Sequence, residues 1–340
     1  MLHPERKRVS GDRCRVPVNK REMDFLFPVT RHLIPGTCLH FCLSLHVPFR
    51  SRMPIRLLAL DLDGTLLNSR GEVSERNRRA IEEARSIGVR VAFVTGRRFR
   101  DARPLALSLG LDAPVISHNG ALTKHARTLE TVSVTLLPLR EAREVLRIGR
   151  ERNLDAMISD DPHGAGVLVY DHINDDNDAF RRYIEWSRRI HGDEAEESVR
   201  KVESLEDYLD HAPVHITYSG TCAAMEALGE ALKCELGGSV KVFATLYTKT
   251  DFALIDVLNA EASKGTGVAA AAAEAGIERS EVMAVGDNFN DLEMLEYAGT
   301  GVLMRNADAR LLSEKAGLHV TATNDEDGVA QAIEKFIINA

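Results

Sequence analysis

The segment LLALDLDGTLLNS, residues 57–69, runs through apolar side chains and then places Asp61 and Asp63 two positions apart. In an extended chain, residues two apart point to the same side, so these carboxylates lie close enough to repel each other. A buried strand that ends on two carboxylates is costly unless a cation compensates their charge. The segment therefore predicts a buried strand that leads into a cation site.

The chain has 340 residues, of which 44% are hydrophobic and 28% are charged. These values are typical of a soluble globular protein with two domains or one large one. The formal net charge of −8 does not favour a nucleic-acid partner. The apolar patch LHFCLSLHVPF near the N-terminus is too short to span a bilayer. We therefore expect neither nucleic acid nor a membrane as a partner.

Residues 1–52 differ from the rest, with 10 Lys and Arg against 4 Asp and Glu and no helical or alternating period. We predict a poorly ordered N-terminal extension for this segment. Because Met53 precedes the first strand, a translation start placed too early is the preferred explanation; a targeting segment or a true extension stays open. Further on, Cys222 and Cys234 lie on a predicted helix without nearby His, which favours a reduced, cytoplasmic protein.

From residue 53 onwards, segments with the pattern of strands alternate with helical segments. IRLLALDLDG, VRVAFVTG (89–96) and APVISHNG (113–120) are apolar enough to be buried strands, and a helix runs from Ser74 to Gly88 between the first two. The alternation resumes near the C-terminus through EVMAVGDN and TGVLMRN. Buried strands joined by helices predict a parallel sheet with right-handed crossovers. We therefore predict an α/β fold with a Rossmann-like parallel-sheet core over residues 53–137 and 259–340.

Residues 138–258 show a different pattern. A predicted hairpin turns near residues 162–164, and HITYSG, SVKVFATLY and DFALIDVL have the alternation typical of an antiparallel sheet with one covered face. The helix LREAREVLRIGRERN precedes them. A parallel core interrupted by an α+β segment indicates an inserted domain, and we predict a cap domain at 138–258.

Polar groups follow several predicted core strands, and parallel sheets bind ligands at these strand ends. Besides the two aspartates above, these groups are Thr95 in FVTGR, Lys264 in EASKG, and Asp287, Asn290 and Asp291 in VGDNFND. Each has an ordinary explanation alone, because Asp and Thr cap helices and a Lys at a helix start is usually solvated. Together, however, the carboxylates, amide, hydroxyl and ammonium predict a site for a hard cation and a phosphate. Mg²⁺ prefers oxygen ligands and shares them with phosphate, and Thr95 and Lys264 can hold the phosphoryl oxygens.

In this order, DLDGTLL, VTGR, SKG and GDNFND resemble the four motifs of haloacid dehalogenase-type phosphatases. SHNGA, GVLMRNA and VTATNDEDGVAQAI are similar to segments of the Cof-type subfamily. The resemblance covers residues 53–340 and includes an inserted α+β cap, of the C2 type, between the second and third motifs. It implies a Rossmann-like core, Mg²⁺ as cofactor and phosphatase activity.

The resemblance implies a catalytic role for four motif residues. Asp61 is the expected nucleophile, which forms an aspartyl-phosphate. Asp63 is the expected general acid for the leaving alcohol and then the base for the hydrolytic water. Thr95 and Lys264 are expected to bind the phosphoryl group.

The resemblance also implies the metal ligands. Magnesium would be held by the Asp61 carboxylate, the Asp63 backbone carbonyl and Asp287. Asn290 and Asp291 are expected in or just behind the coordination shell. The close carboxylates of Asp61 and Asp63 would then be tolerated, because one serves the metal and the other holds a proton when needed.

Further residues near the predicted site have two possible interpretations. We predict substrate binding by Gly96 and Asn119 in addition to the phosphoryl-binding residues. Asn119 ends a strand beside the site, but as part of an Asn-Gly pair it is equally well explained as a turn residue. Arg97 could reach a phosphate, although Arg97 and Arg98 are better explained as the solvated start of a helix.

The expected function is Mg²⁺-dependent hydrolysis of small phosphorylated metabolites by a cytoplasmic monomer or homodimer. A sugar phosphomutase would use the same nucleophile and metal but return the phosphate to a sugar. A phosphorylation switch or a binding protein without turnover is the alternative from another class, since receiver domains also place acidic residues, a Thr and a Lys around magnesium. The inserted segment and GDNFND argue against a switch.

Overall fold

The computed structural model describes residues 54–175, 177–314 and 317–340, and the segment 1–52 with its predicted lack of order lies outside these residues. The strands are β1 (Leu57–Leu60), β2 (Arg90–Phe93), β3 (Val115–Ser117), β4 (Leu122–Lys124), β5 (Thr131–Val134), β6 (Ala156–Asp160), β7 (Val167–Tyr170), β8 (Val199–Lys201), β9 (His215–Gly220), β10 (Val240–Tyr247), β11 (Phe252–Asn259), β12 (Val282–Gly286), β13 (Thr300–Leu303) and β14 (His319–Val320).

The helices are α1 (Glu75–Ser86), α2 (Phe99–Ser108), α3 (Leu139–Arg150), α4 (Asp178–His191), α5 (Ala195–Ser198), α6 (Leu205–Tyr208), α7 (Cys222–Leu236), α8 (Lys264–Glu274), α9 (Leu292–Tyr297), α10 (Ala309–Glu314) and α11 (Gly328–Ile333). The predicted start of α1 is confirmed, since the Ser74 hydroxyl accepts the Asn77 backbone N–H at 3.1 Å and caps the helix. Within the described ranges, no helix is long and apolar enough to cross a membrane.

β1 lies inside a five-stranded parallel sheet with the order β14-β13-β12-β1-β2. All of its residues are buried, because Leu58 and Leu60 pack in an apolar cluster on one face and Leu57 and Ala59 in a second cluster on the other. The predicted Rossmann-like core is thereby confirmed. Since β1 is parallel to both β2 and β12, the loops after these strands meet at one edge of the sheet.

The third predicted core strand departs from the parallel pattern. β3 is joined to the core by a parallel bridge between Val94 and Ile116, and it pairs antiparallel with β4, which pairs with β5. The 3-10 turn His118–Gly120 reverses the chain directly after β3 and produces this hairpin. An apolar run predicts burial but not the direction of the neighbouring strand, so the sequence pattern did not reveal this pairing.

Residues 156–259 supply a second sheet of six strands in the order β10-β11-β9-β6-β7-β8, antiparallel except between β7 and β8. One of its faces packs on α3 and α7 in an apolar cluster that includes Ile158, Ile216 and Ile255. The hairpin and antiparallel strands predicted for this region are confirmed. We call this sheet with its helices the cap; its boundaries at 138 and 258 stay a prediction.

Arg98 fastens the cap to the core. Its guanidinium pairs with Asp101 at 2.8 and 2.9 Å and also donates to Tyr183 Oη at 2.9 Å and Ser187 Oγ at 2.6 Å, both on α4. Arg98 is only 5% exposed, so its prediction as a solvated helix start is wrong. Arg98 is buried because α4, which lies more than 80 residues further along the chain, covers this helix start in the folded protein.

Two buried histidines form a second contact between core and cap. His118 Nδ1 lies 2.8 Å from His215 Nδ1, and His118 Nε2 accepts the Phe99 backbone N–H at 3.2 Å. Burial lowers the pKa of His118 well below its usual value and lowers the pKa of His215 to about 3. Both imidazoles are therefore neutral near pH 7, and one Nδ1 can donate to the other, which is unprotonated.

Lowering the pH from about 7 to about 5 should destabilise the protein through these histidines. Because the pKa of His215 lies at about 3 when folded and near 6.5 when unfolded, the unfolded state binds more protons between these values, and stability falls as the pH drops through 6.5. His215 alone accounts for about 2 kcal/mol over this interval. Urea unfolding of the wild type and of His215→Gln at both pH values measures this contribution.

The variant should lose about 2 kcal/mol less than the wild type on acidification. His163→Gln, at an exposed position of the β6–β7 turn, is the matched control and should keep the wild-type pH dependence. Identical pH dependences for His215→Gln and the wild type would contradict the assignment.

Candidate active site

Four predicted site residues converge where β1 and β12 end. Asp61 directly follows β1, Lys264 opens α8, and Asp287 and Asp291 belong to the loop after β12. Asp61, Lys264 and Asp291 are buried. The parallel neighbours β1 and β12 thus bring together side chains that lie more than 200 residues apart in the chain.

The Lys264 ammonium stands between two carboxylates. Its Nζ donates to Asp61 Oδ1 and to Asp291 Oδ1, both at 2.6 Å. Burial by itself lowers the pKa of Lys264, but the charges of Asp291 and Asp61 outweigh it and raise this pKa above its usual value. Lys264 is therefore a fixed positive charge beside Asp61.

The acidic groups around Lys264 fit a divalent cation. Asp61, Asp287 and Asp291 each offer a carboxylate oxygen within 4.8 Å of the others. Burial raises the pKa of Asp61 well above its usual value, although Lys264 opposes the rise, and burial together with the Asp291 charge raises the pKa of Asp287 to about 6. Three carboxylates facing one ammonium leave an excess of negative charge, and hard oxygen donors are what Mg²⁺ binds.

The loop after β12 is ordered by Asp291. Asp291 Oδ2 accepts the backbone N–H groups of Asp287 and Asn288 at 2.9 Å each, while Oδ1 is held by Lys264. The Thr65 hydroxyl donates to Asp287 Oδ1 at 2.9 Å from the loop after β1. Both oxygens of Asp291 are thus engaged with protein groups, which leaves Asp287 as the more available carboxylate of this loop.

Asp63 lies on the open side of the cluster, with a side chain that is 61% exposed. Its carboxylate forms a two-point ion pair with Arg97, at 2.8 Å to Nε and 2.6 Å to Nη2. The interpretation of Arg97 as a solvated residue at a helix start therefore did not include its ion pair with Asp63. The pair of an acidic residue in the first motif with the Arg of VTGR is visible only when β1 and β2 are placed side by side.

Thr95, Gly96 and Asn119 lie against one another beside Asp61. The buried Thr95 accepts the Arg97 backbone N–H on Oγ1 at 3.1 Å, and its carbonyl accepts the Asn119 N–H at 3.0 Å. A Cβ placed on Gly96 would lie 3.2 Å from Asn119 Oδ1, a close approach that only a glycine permits without adjustment. The predicted phosphate-binding loop is thus tightly packed against Asn119.

The structure places Asn119 both in a turn and at the predicted substrate site. Its φ of 51° is left-handed, as expected of an Asn in a turn. At the same time its Oδ1 accepts from Asn290 Nδ2 at 2.9 Å, and both residues line the cleft described next. Among the described residues, Asn290 Oδ1 is buried and has no hydrogen-bond partner. This unpaired oxygen belongs to the same loop as Asp287 and Asp291, and it can serve as a ligand of a cation or accept a hydrogen bond from a water molecule bound to it.

The cluster opens onto a cleft of about 1500 Å³ between the core and the cap. Its core wall includes Asp61, Asp63, Thr95, Arg97, Asn119 and Lys264, and its cap wall includes Met157, Ser159, His215, Thr217, Phe243 and Asp256. The volume suffices for a small molecule held between both parts. Sequence reasoning did not identify the cap wall, because no spacing in the sequence marks which face of an antiparallel sheet meets the core.

A family model described as haloacid dehalogenase-like hydrolase matches residues 58–333. The chain therefore belongs to the haloacid dehalogenase-like hydrolases. It is 32% identical over 287 residues to the putative phosphatase YxeH of Bacillus subtilis, covering 83% of this chain and 98% of that protein. It is 30% identical over 298 residues to the 5-amino-6-(5-phospho-D-ribitylamino)uracil phosphatase YwtE of the same organism, covering 83% and 98%.

A solved structure of a haloacid dehalogenase-like hydrolase from Bacteroides thetaiotaomicron has a similar fold, with a TM-score of 0.66 and 26% identity over 83% of this chain and 99% of that chain. The resemblance to Cof-type phosphatases of this superfamily is thereby confirmed. The protein is an enzyme of the phosphatase class.

Gly120 allows the turn after β3 to approach the start of α8. Its φ is +95°, and a Cβ at this position would lie 1.8 Å from the Ser263 carbonyl oxygen, one residue before Lys264. The turn carries Asn119, and α8 begins with Lys264. Gly120 therefore sets the distance between two predicted substrate-binding residues.

Gly120→Ala should destabilise the protein by at least about 3 kcal/mol, since an unfavourable φ adds to a backbone clash. Gly71→Ala is the matched control, because Gly71 has a φ of +76° but a Cβ added to it would meet no atom within 4 Å. The control should lose only about 1 kcal/mol. Urea unfolding of both variants measures the difference, and equal losses would show that the close approach at Ser263 is unimportant.

Proposed function

We propose that the protein hydrolyses small phosphomonoesters in a Mg²⁺-dependent reaction that passes through an aspartyl-phosphate on Asp61. The observation that carries this proposal is the 2.6 Å contact of the Lys264 ammonium with Asp61 Oδ1, next to the carboxylate of Asp287. A carboxylate held in place by a fixed positive charge at the edge of a cleft is suited to attack an anionic phosphate.

In the first step, an Asp61 oxygen forms a bond to phosphorus and the bond from phosphorus to the leaving oxygen breaks. Asp63 donates a proton to that leaving oxygen. Lys264 and the Thr95 hydroxyl offset the charge that develops on the phosphoryl oxygens. Arg97 orients the Asp63 side chain at the open side of the cluster through two contacts.

In the second step, Asp63 takes a proton from a water molecule that attacks the phosphorus of the aspartyl-phosphate. Inorganic phosphate leaves, and Asp61 is regenerated as a carboxylate. The two-point contact with Arg97 keeps the Asp63 carboxylate in a defined orientation for this step.

Asp61, the Asp63 backbone carbonyl and Asp287 would hold the magnesium, with Asn290 and Asp291 next to them. When bound, Mg²⁺ neutralises phosphate charge and aligns the phosphate with the nucleophile. The contacts of Asp291 support a role in ordering the loop and Lys264, whereas the orphaned Asn290 Oδ1 supports contact with the cation or its water.

Small phosphorylated metabolites are the proposed substrates, and no other partner is needed for this function. The names of the relatives support this class, since one acts on 5-amino-6-(5-phospho-D-ribitylamino)uracil and the E. coli relative YbhA on pyridoxal phosphate. A cytoplasmic location and a monomeric or homodimeric state remain predictions from the sequence.

Asp61→Asn should abolish phosphate release from every ester that the wild type hydrolyses, with kcat reduced at least about 1000-fold, because the amide is a poor nucleophile. The measurement is phosphate release from a panel of small phosphomonoesters, with Mg²⁺ and after its removal by a chelator. Removal of Mg²⁺ should stop the wild-type reaction, and its return should restore the rate.

Asp112→Asn is the matched control, since Asp112 lies in the loop after α2, outside the cluster, is exposed and carries the same charge. It should keep wild-type activity. Phosphate release by Asp61→Asn at the wild-type rate would refute the assignment of Asp61 as the nucleophile. Analysis of the products separates the alternatives: a sugar bisphosphate or an isomeric sugar phosphate indicates a mutase, and one phosphate per protein without turnover indicates a switch.

Asp63→Asn should trap the intermediate when the leaving group needs no proton. With p-nitrophenyl phosphate the first step remains possible, while attack by water loses its base and slows by about 100- to 10,000-fold. Rapid mixing should therefore show a burst of p-nitrophenol equal to the enzyme concentration, followed by slow turnover. A slow reaction without a burst would argue that Asp63 acts in the first step alone.

A further inference from the structure

Two C-terminal segments that resemble the Cof-type subfamily have no part in the proposed mechanism. GVLMRNA begins in β13 and ends in the loop after it, and VTATNDEDGVAQAI runs from the end of β14 into α11. Because β13 and β14 continue the parallel sheet beyond β12, the loops after them lie at the same edge of the sheet as the catalytic cluster. Asn306 belongs to the first of these loops and Asn324 to the second.

The two asparagines hold the loop that follows β1. Asn306 Nδ2 donates to the Gly64 carbonyl at 2.8 Å, and Asn324 Nδ2 donates to the Leu67 carbonyl at 2.9 Å. The asparagines are also joined to each other, since the Asn324 backbone N–H donates to Asn306 Oδ1 at 3.0 Å. The Asn306 amide therefore donates on one side and accepts on the other, which fixes its orientation.

The loop held by the asparagines carries Asp63. Gly64 directly follows Asp63 in the chain, and an isolated β-bridge pairs Asp63 with Leu67. The two carbonyls that accept from the asparagines thus belong to the residue after Asp63 and to its bridge partner. Both contacts restrain the backbone from which the Asp63 side chain projects.

Among the acidic groups of the site, Asp63 depends most on this loop. The Asp61 carboxylate is held by Lys264 at 2.6 Å. The Asp287 backbone N–H is held by Asp291 at 2.9 Å. Asp63 has an exposed side chain outside this buried group, so the position of its carboxylate follows the backbone of the loop.

Apolar packing holds the ends of the loop but not its centre. Leu62 and Leu66 are fully buried in an apolar cluster of the core. Between them, Asp63 is exposed and Gly64 is half-buried with a φ of +84°. Because a glycine has no side chain to pack, its backbone is the most easily displaced part of such a loop. The hydrogen bond to the Gly64 carbonyl restrains the loop at this point.

We propose that Asn306 and Asn324 are positioning residues that hold Asp63 where it donates a proton to the leaving oxygen. Arg97 restrains the side chain of Asp63, and the asparagines restrain its backbone. A displacement of about 1 Å in a reacting group can lower a rate by about 100-fold, so contacts remote from the substrate affect the rate of proton transfer. This inference deepens the proposed phosphatase function and rests on it.

The test compares two esters whose leaving groups differ in their need for a proton. Asn306→Ala should lower kcat/KM for an alkyl phosphate, D-glucose 6-phosphate or glycerol 3-phosphate, by about 10- to 100-fold, because Asp63 is misplaced for protonation of the leaving alkoxide. With p-nitrophenyl phosphate, whose leaving group departs without a proton, kcat/KM should fall by less than about threefold. Asn324→Ala should show the same difference between the esters, whereas a loss of folded protein lowers both values equally.

A double variant shows whether Asn306 acts through Asp63. Asp63→Asn already removes the acid, so the position of this side chain no longer affects protonation of the leaving group. Adding Asn306→Ala to Asp63→Asn should therefore lower kcat/KM for the alkyl phosphate by less than about twofold further.

Asn259→Ala is the matched control. Asn259 makes the same two kinds of contact away from the catalytic loop, because its Nδ2 donates to the Leu136 carbonyl at 2.8 Å and its Oδ1 accepts the Glu261 N–H at 2.9 Å. Asn259→Ala and Asn306→Ala should each lower the melting temperature by about 2 to 4 °C. Only Asn306→Ala should change the ratio of the kcat/KM values for the two esters.

Three results would overturn the assignment while leaving the phosphatase function intact. Wild-type kcat/KM for both esters in Asn306→Ala would show that the contact with Gly64 is dispensable. Equal losses for both esters would assign Asn306 a structural role. A full further loss in the Asp63→Asn background would show that Asn306 does not act through Asp63. Absence of Asp61-dependent hydrolysis of any ester by the wild type would instead refute the proposed function and, with it, this inference.

Discussion

The buried contact of one ammonium with two carboxylates determines how the rest of this protein is arranged. Lys264 donates to Asp61 and Asp291 at 2.6 Å in a region from which water is largely excluded. A buried charge left without its partner costs about 3 to 5 kcal/mol, so the three segments that carry these residues tolerate little displacement. Close packing holds these segments in place. A Cβ on Gly286 would lie 2.6 Å from Asp291 Cβ, and Gly120 packs against Ser263, the residue before Lys264.

In the proposed function, the core carries out the chemistry and the cap faces the leaving group of the substrate. The core places acidic, hydroxyl and ammonium groups on loops after parallel strands, where strand order alone makes them neighbours. The cap supplies the opposite wall of the cleft, and buried polar contacts join it to the core, among them those of Arg98 and the donation of Lys124 Nζ to the Pro162 carbonyl at 2.8 Å. No cap residue contacts the buried group of Lys264, Asp61 and Asp291 through the hydrogen bonds of Lys264 among the described residues, so the two walls of the cleft are built from separate contacts.

Much of the core could be predicted from the sequence because its signals are local. The apolar run ending at Asp61, the capping Ser74 and the order of the four motifs each depend on a few adjacent residues. The contacts that could not be predicted join distant segments. Arg98 becomes buried only when α4 covers it, and Asp256 becomes part of the cleft only because β11 turns that face to the core. Hydrophobic periodicity predicts which face is buried, but it does not predict what lies opposite.

Three consecutive residues link the two parts of the enzyme. Arg97 pairs with Asp63, the proposed acid and base; Arg98 holds α4 of the cap; and the Phe99 N–H donates to His118, which contacts His215 of the cap. The backbone of this one turn therefore joins the contact with the cap at Arg98 to the ion pair of Arg97 with Asp63. Because Arg97 orients the proposed acid and base while Arg98 contacts the cap, adjacent residues of one turn serve both walls of the cleft.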